Sequence, residues 1–429
     1  MAQTGHLNEL TATGIARRTT AGEITCEAVV RDCLARIESR EGTVKAWAFI
    51  DAGLALAQAR ALDKGTVRGP MHGVPVGVKD VLDTADMPTQ MGSPIYDGWR
   101  PAADASCVAL MRAAGAVILG KTVTCEFAGM EPGATTNPHN PAHTPGGSSS
   151  GSAAAVADRM VSVGFGTQTG GSVLRPSSFC GIVGFKPSYG AVNRAGLKFA
   201  AESLDTIGLM ARSVDDVALT FDVLVGRRPA PLPAPAGTPR IGLCRTPLWE
   251  TAQPETVASV ESAVRRLADA GAGLEETPVP AGFDALSAAR DVFNDYERAR
   301  ATAYEWNSHR ERISARLRGS IQRGLALDHE RYVAAVATAA ACRAKLGGLF
   351  ARSDILLAPC VPGEAPEGLG STGDPKMQGL WTILHVPTIT LPTHTGPKGL
   401  PVGIQLVGPP GGDVRLLAAA RWVWDRLTE

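Results

Sequence analysis

The chain has 429 residues, 44% hydrophobic and 20% charged, which supports a sizeable core and excludes wholesale disorder. Its 42 basic and 42 acidic residues balance, so the charge favours neither nucleic acid nor an anionic membrane as a partner. Forty-eight glycines and 30 prolines, about 18% of the chain against a usual ~12%, follow no G-X-Y period and point to many tight turns.

The opening MAQTGHLNEL lacks a basic segment followed by an apolar one, so no secretory leader is expected. Residues 7–64 read as helical: Val29, Cys33, Leu34 and Ile37 recur at helical spacing, and an Ala-rich stretch follows over 52–62. From Gly73 the pattern changes to short β-rich runs: 74–78, 116–119, 161–165 and 182–185. Helix candidates lie between and after them at 104–114 and 213–225, the second opened by a capping-box-like Ser213-x-x-Asp216. A Pro-rich segment, 227–240, reads as a stiff linker. After it come a strand at 241–244, a helical block over about 255–352, strands at 355–359, 388–391 and 402–407, and a closing helix near 414–427. Strands alternating with helices argue for an α/β fold with a mixed, mostly parallel sheet between helices. Because strands resume after the helical block, one domain over 1–429 is expected rather than two.

Eight scattered cysteines and eight histidines form no C-x-x-C or H-E-x-x-H spacing, so neither a metal nor a cofactor is expected, and the thiols suit a cytoplasmic protein. No run is long and apolar enough to span a bilayer.

Two motif matches mislead. Gly115-AVIL-Gly120-Lys121-Thr122 satisfies the phosphate-loop pattern, yet its four intervening residues read as a buried strand rather than an open loop. Gly147-Ser-Ser-Ser-Gly151 satisfies the nucleophile-elbow pattern around Ser149, but turn-rich sequence precedes it where that elbow needs a strand. More informative is Gly166-TQTGGS, directly after a strand-like run. Its glycines leave consecutive N–H groups unobstructed, as an oxyanion site requires. Lys79, ending the apolar GVPVGVK, either reaches solvent or is desolvated and functional.

Taken together, Gly73-VPVGVKDV, Asn137-PHNPAHTPGGSSSGSAAA, Gly166-TQTGGSVLRPSSFCGIVGFKPSYG and the late LPVGIQLVG closely resemble the amidase signature family, over about residues 7–425. The resemblance implies one α/β domain and a Ser-cisSer-Lys triad. Ser172 would be the acylated nucleophile, Ser148 the bridging serine on a cis peptide, and Lys79 the base. The N–H groups of Thr169, Gly170, Gly171 and Ser172 would form the oxyanion site. It implies hydrolysis of C–N bonds in a small amide or carbamate, with esterase side activity, no nucleic acid and no membrane; a homodimer stays open. Its branches include malonamidases, aryl-acylamidases, and allophanate and carbamate hydrolases, the last acting as urethanases.

The sequence departs from the family where substrate is decided. Gln168 replaces the commoner Asp of GTDTGGS. Val123 and Cys125 stand at the Asn and Asp positions of the transamidating branch's KTNMDEFAMGSS, which weighs against an amidotransferase component working with partner chains. Arg175 would meet a substrate carboxylate, as in small-acid amidases of the malonamate or allophanate type, or pair inside the fold. If it is structural, the block 284–352 and the Gly-rich loop 361–380 set the pocket. That reading is preferred on the expectation that the loop presents an acid with no other cation, and it admits bulky neutral groups.

Overall fold

The glycine-bounded apolar runs form strands where their composition places them. The computed structural model describes residues 6–235 and 237–428; the first five residues of the N-terminal arm, Ala236 of the Pro-rich segment and Glu429 lie outside them. Eleven strands are present among the described residues: β1 (Trp47–Ile50), β2 (Pro75–Lys79), β3 (Val117–Thr122), β4 (Val163–Gln168), β5 (Val183–Lys186), β6 (Thr206–Ala211), β7 (Arg240–Leu243), β8 (Gly273–Glu276), β9 (Ile355–Pro359), β10 (Thr388–Thr395) and β11 (Pro401–Val407). They join in one sheet of order β1-β3-β2-β4-β6-β5-β10-β11-β9-β7-β8. Strands on both sides of the Pro-rich segment share that sheet, so the segment links parts of one α/β domain.

The sheet is mixed, as expected, but the parallel majority is not found. Six of the ten adjacent pairings are antiparallel and four are parallel. The connection between β10 and β11 is five residues, far too short for the crossover that parallel pairing requires.

Both sheet faces are covered by helices. Along β3, Val117 and Leu119 enter one hydrophobic cluster while Ile118 enters the other. This period-two division of a wholly apolar run is expected of a strand buried on both sides. On one face lie helices Ser106–Ala113, Val214–Leu224, Pro254–Asp269 and Asp413–Thr428; on the other lie Cys26–Val44, Ala52–Lys64, Ser150–Ala157 and Leu174–Phe179. Ser213 caps its helix as predicted, its hydroxyl accepting from Asp216 N at 3.1 Å. A third cluster, around Phe293, Leu346 and Trp381, packs the helical block against the sheet.

The phosphate-loop match is strand β3. Gly115 sits at φ +94° just past helix Ser106–Ala113, and a Cβ there would meet His72 Cα at 2.9 Å. Lys121 is fully buried; its Nζ donates to Thr89 Oγ1 at 2.6 Å and pairs with Asp80 at 3.2 Å.

The arm and the helical block each hide a strand that was read as helix. These are β1 and β8, four residues each, at the two sheet edges.

Candidate active site

Strands β3, β2 and β4 are mutually parallel neighbours, so their carboxyl ends open at one edge of the sheet. This is where α/β folds place ligands. Lys79 is the last residue of β2 and is fully buried. Its Nζ donates to Ser148 Oγ at 2.8 Å, to Thr167 Oγ1 at 2.8 Å and to Thr167 O at 3.4 Å. Among the described residues no carboxylate lies within salt-bridge distance of it. Burial disfavours the ammonium form and pulls its pKa from the usual lysine range to about 7.

The Gly147–Ser148 peptide is cis. Ser149 is turned away from the cavity: its Oγ accepts from Thr167 N at 3.2 Å and donates to Thr167 O at 3.3 Å. Fully buried and pinned to a strand, it lacks the exposed hydroxyl of a nucleophile elbow.

Beyond β4 the chain turns through Thr169, Gly170, Gly171 and Ser172. The N–H groups of Gly170, Gly171 and Ser172 have no acceptor among the described residues. A Cβ on Gly171 would run into the side-chain amide of Gln378, which would have to move to admit it. Thr169 Oγ1 donates to the Asp205 carboxylate, whose other oxygen accepts from Ala200 N at 2.6 Å and Ala201 N at 3.0 Å. Ser172 is 9% exposed, lines the cavity, and its Oγ makes no hydrogen bond among the described residues.

Gln168, the residue that departs from the commoner Asp, has a positional reason. Its Oε1 accepts from Val173 N at 2.9 Å and Leu174 N at 3.1 Å, and its Nε2 donates to Thr382 Oγ1 at 3.0 Å. Thr382 Oγ1 in turn donates to Gly170 O at 2.7 Å, so one neutral amide holds both the turn and the start of helix Leu174–Phe179. Gln168→Ala is expected to lower stability by about 2 kcal/mol, because two buried N–H groups lose their acceptor. Urea unfolding checks this.

The site opens into a cavity of about 750 Å³. Arg175 lines it and is 4% exposed; its Nη2 donates to Gly147 O at 2.6 Å and Thr372 Oγ1 at 3.0 Å. Its Nε and Nη1 are buried without partners. The expectation that the loop 361–380 offers no other cation is overturned: Lys376 within that range lines the cavity, and helix Leu286–Ala301 delivers Arg290 and Arg298 to the same space. Periodicity alone could not orient that helix. Also absent from the sequence reading are Thr167, which holds Lys79, and Asp205, which holds Thr169. Neither belongs to a local motif with its partner.

Among the described residues no three His, Cys, Asp or Glu side chains cluster as metal ligands. No helix there is long and apolar enough to cross a membrane.

Proteins of similar sequence and fold are known. The chain is 33% identical over 476 residues to a glutamyl-tRNA(Gln) amidotransferase subunit from Chloroflexus aurantiacus, covering 99% of this chain and 97% of the relative. Its structure is similar to that of the native peptide amidase from Stenotrophomonas maltophilia, with TM-score 0.84, 29% identity, and 98% and 97% of the two chains covered. It is also similar to 6-aminohexanoate cyclic dimer hydrolase in complex with substrate, with TM-score 0.88, 26% identity, and 99% and 98% covered. The Amidase family model matches residues 28–417, and with the fold and these likenesses it places the chain in the amidase signature family.

Proposed function

We propose that the protein hydrolyses C–N bonds of small amides, and of carbamates, through an acyl-enzyme on Ser172. The observation that carries this reading is the buried Lys79 Nζ–Ser148 Oγ contact of 2.8 Å beside a cavity lined by Ser172 and free N–H groups. A serine hydroxyl is a weak nucleophile until a base accepts its proton. With its pKa drawn to about 7, Lys79 is partly neutral at physiological pH and can serve as that base. In the proposed cycle, Ser172 Oγ passes its proton to Ser148 Oγ as Ser148 passes its own to Lys79 Nζ. Ser172 Oγ bonds to the carbonyl carbon, and the N–H groups of the 169–172 turn take up the developing oxyanion. Breaking the C–N bond returns the proton through Ser148 to the leaving amine. Water then repeats the sequence in reverse roles and frees the acid. A carbamate presents the same carbonyl, and an ester would follow the same path. No cofactor enters any step.

The 33% identity to amidotransferase subunits favours one second reading, a component that works with partner chains. Against it stand Val123 and Cys125 within Lys121-TVTCEFAGM. Incubating the purified chain with a fluorophosphonate and mapping the labelled peptide tests the first reading; label on Ser172, with anilide hydrolysis by the chain alone, is expected. Label elsewhere rejects the assignment, and hydrolysis only after a partner is added supports the second reading.

A further inference from the structure

The cavity holds an uncompensated positive charge. Five cations line it, Arg175, Arg290, Arg298, Arg323 and Lys376, against three carboxylates. Each carboxylate already has a cation: Asp291 with Arg290 at 2.8 Å, Asp295 with Arg323 at 2.7 Å, and Asp374 with Lys376 at 3.6 Å. Arg175 and Arg298 remain, both only 4% exposed and neither within 4 Å of a carboxylate among the described residues. Arg298 reaches only neutral acceptors, Asn294 Oδ1 at 3.0 Å and Phe127 O at 3.3 Å. Asp205, a buried carboxylate in the electrostatic surroundings of Arg298, is committed to Thr169 and two backbone N–H groups. Cys125, whose backbone N donates to Ser148 O at 3.1 Å, is an electrostatic neighbour of both guanidiniums and is a neutral thiol because burial raises its pKa. Asp295 and Asp374 also lie in the electrostatic surroundings of Arg298 and Arg175 respectively, but each is bonded to another cation. A buried charge is tolerated when something pairs it, and among the described residues neither guanidinium has a carboxylate of its own.

We infer that the substrate supplies the missing counter-charge: it is an amide carrying a carboxylate, held between Arg298 and the unpartnered nitrogens of Arg175. This rests on the Ser172 reading above and names its substrate class. It assigns Arg298, on a helix far from every motif in the sequence, as a specificity-determining residue.

Succinamate and butyramide differ by a carboxylate against a methyl group. The wild-type kcat/KM ratio is expected to favour succinamate by about 10²-fold, and Arg298→Gln to lower that ratio by a similar factor, mostly through KM for the acid. Arg298→Lys should restore part of it. Cys125→Asp should lower it too, by placing a counter-charge inside the protein. A wild-type preference for butyramide, or a ratio that Arg298→Gln leaves unmoved, overturns the inference. Protection of Ser172 from a fluorophosphonate reads the same preference without turnover. If Ser172 is labelled and succinamate protects no better than butyramide, the anion site alone is wrong. If Ser172 is never labelled, the catalytic reading falls and this inference falls with it.

Discussion

Ser172→Ala is expected to reduce amide turnover by at least about 10³-fold while leaving the protein folded. The side chain is small, its Oγ makes no hydrogen bond among the described residues, and alanine fits the same space. Removing it therefore deletes the covalent path without opening a core cavity or orphaning a partner. The expected readout is loss of anilide hydrolysis and of fluorophosphonate labelling, with an unchanged unfolding midpoint. Ser149→Ala should behave in the opposite manner. Losing the two contacts to Thr167 lowers stability by about 1–2 kcal/mol, while turnover stays within about tenfold. Near-normal hydrolysis by Ser172→Ala would remove the basis of the assignment.

The second large effect belongs to Lys79. Lys79→Ala should slow acylation by about 10²- to 10⁴-fold, the usual contribution of a positioned base. The pH profile carries the sign. Only the unprotonated amine can accept a proton, so wild-type kcat/KM should rise through about pH 7 and level off above it. A bell centred near pH 6.5 would point to a histidine instead. Stability moves in the same direction for this group. Its folded pKa lies below the unfolded value of about 10.4, so between about pH 7 and 10 the unfolded chain binds more protons. Over that window stability gained from this group grows as pH rises, and Lys79→Met should flatten the slope in urea titrations at several pH values.

Much of this molecule is readable along the chain. Buried strands such as β3 and β9 announce themselves as short apolar runs bounded by glycine, proline or a change of period. The helix Val214–Leu224 is marked by its cap. Lys79, Ser148 and Ser172 stand inside the stretches that together carry the family resemblance, and the structure joins Lys79 to Ser148 at 2.8 Å and Ser149 N to Ser172 O at 3.3 Å at one edge of the sheet. The edge strands β1 and β8 escaped because each is short and partly exposed, so neither a continuous apolar run nor a clean alternation marks it. Pairing with β3 and β7 made them strands. Sheet direction escaped for a related reason: strand residues of either polarity look alike, and only the length of the connection separates them.

The Lys79, Ser148 and Ser172 segments, through their resemblance to the amidase signature, determined the candidate chemistry, and their side chains are of the types that a nucleophile, a relay and a base need. Tertiary structure decided the environment. Burial at the end of β2 turns an ordinary lysine into one that ionises near neutrality. Packing of helix Leu286–Ala301 over the sheet edge aims Arg298 at the cavity, more than a hundred residues from Ser172 in the chain. Desolvation and charge complementarity depend on distances in space, and a linear sequence does not carry those distances.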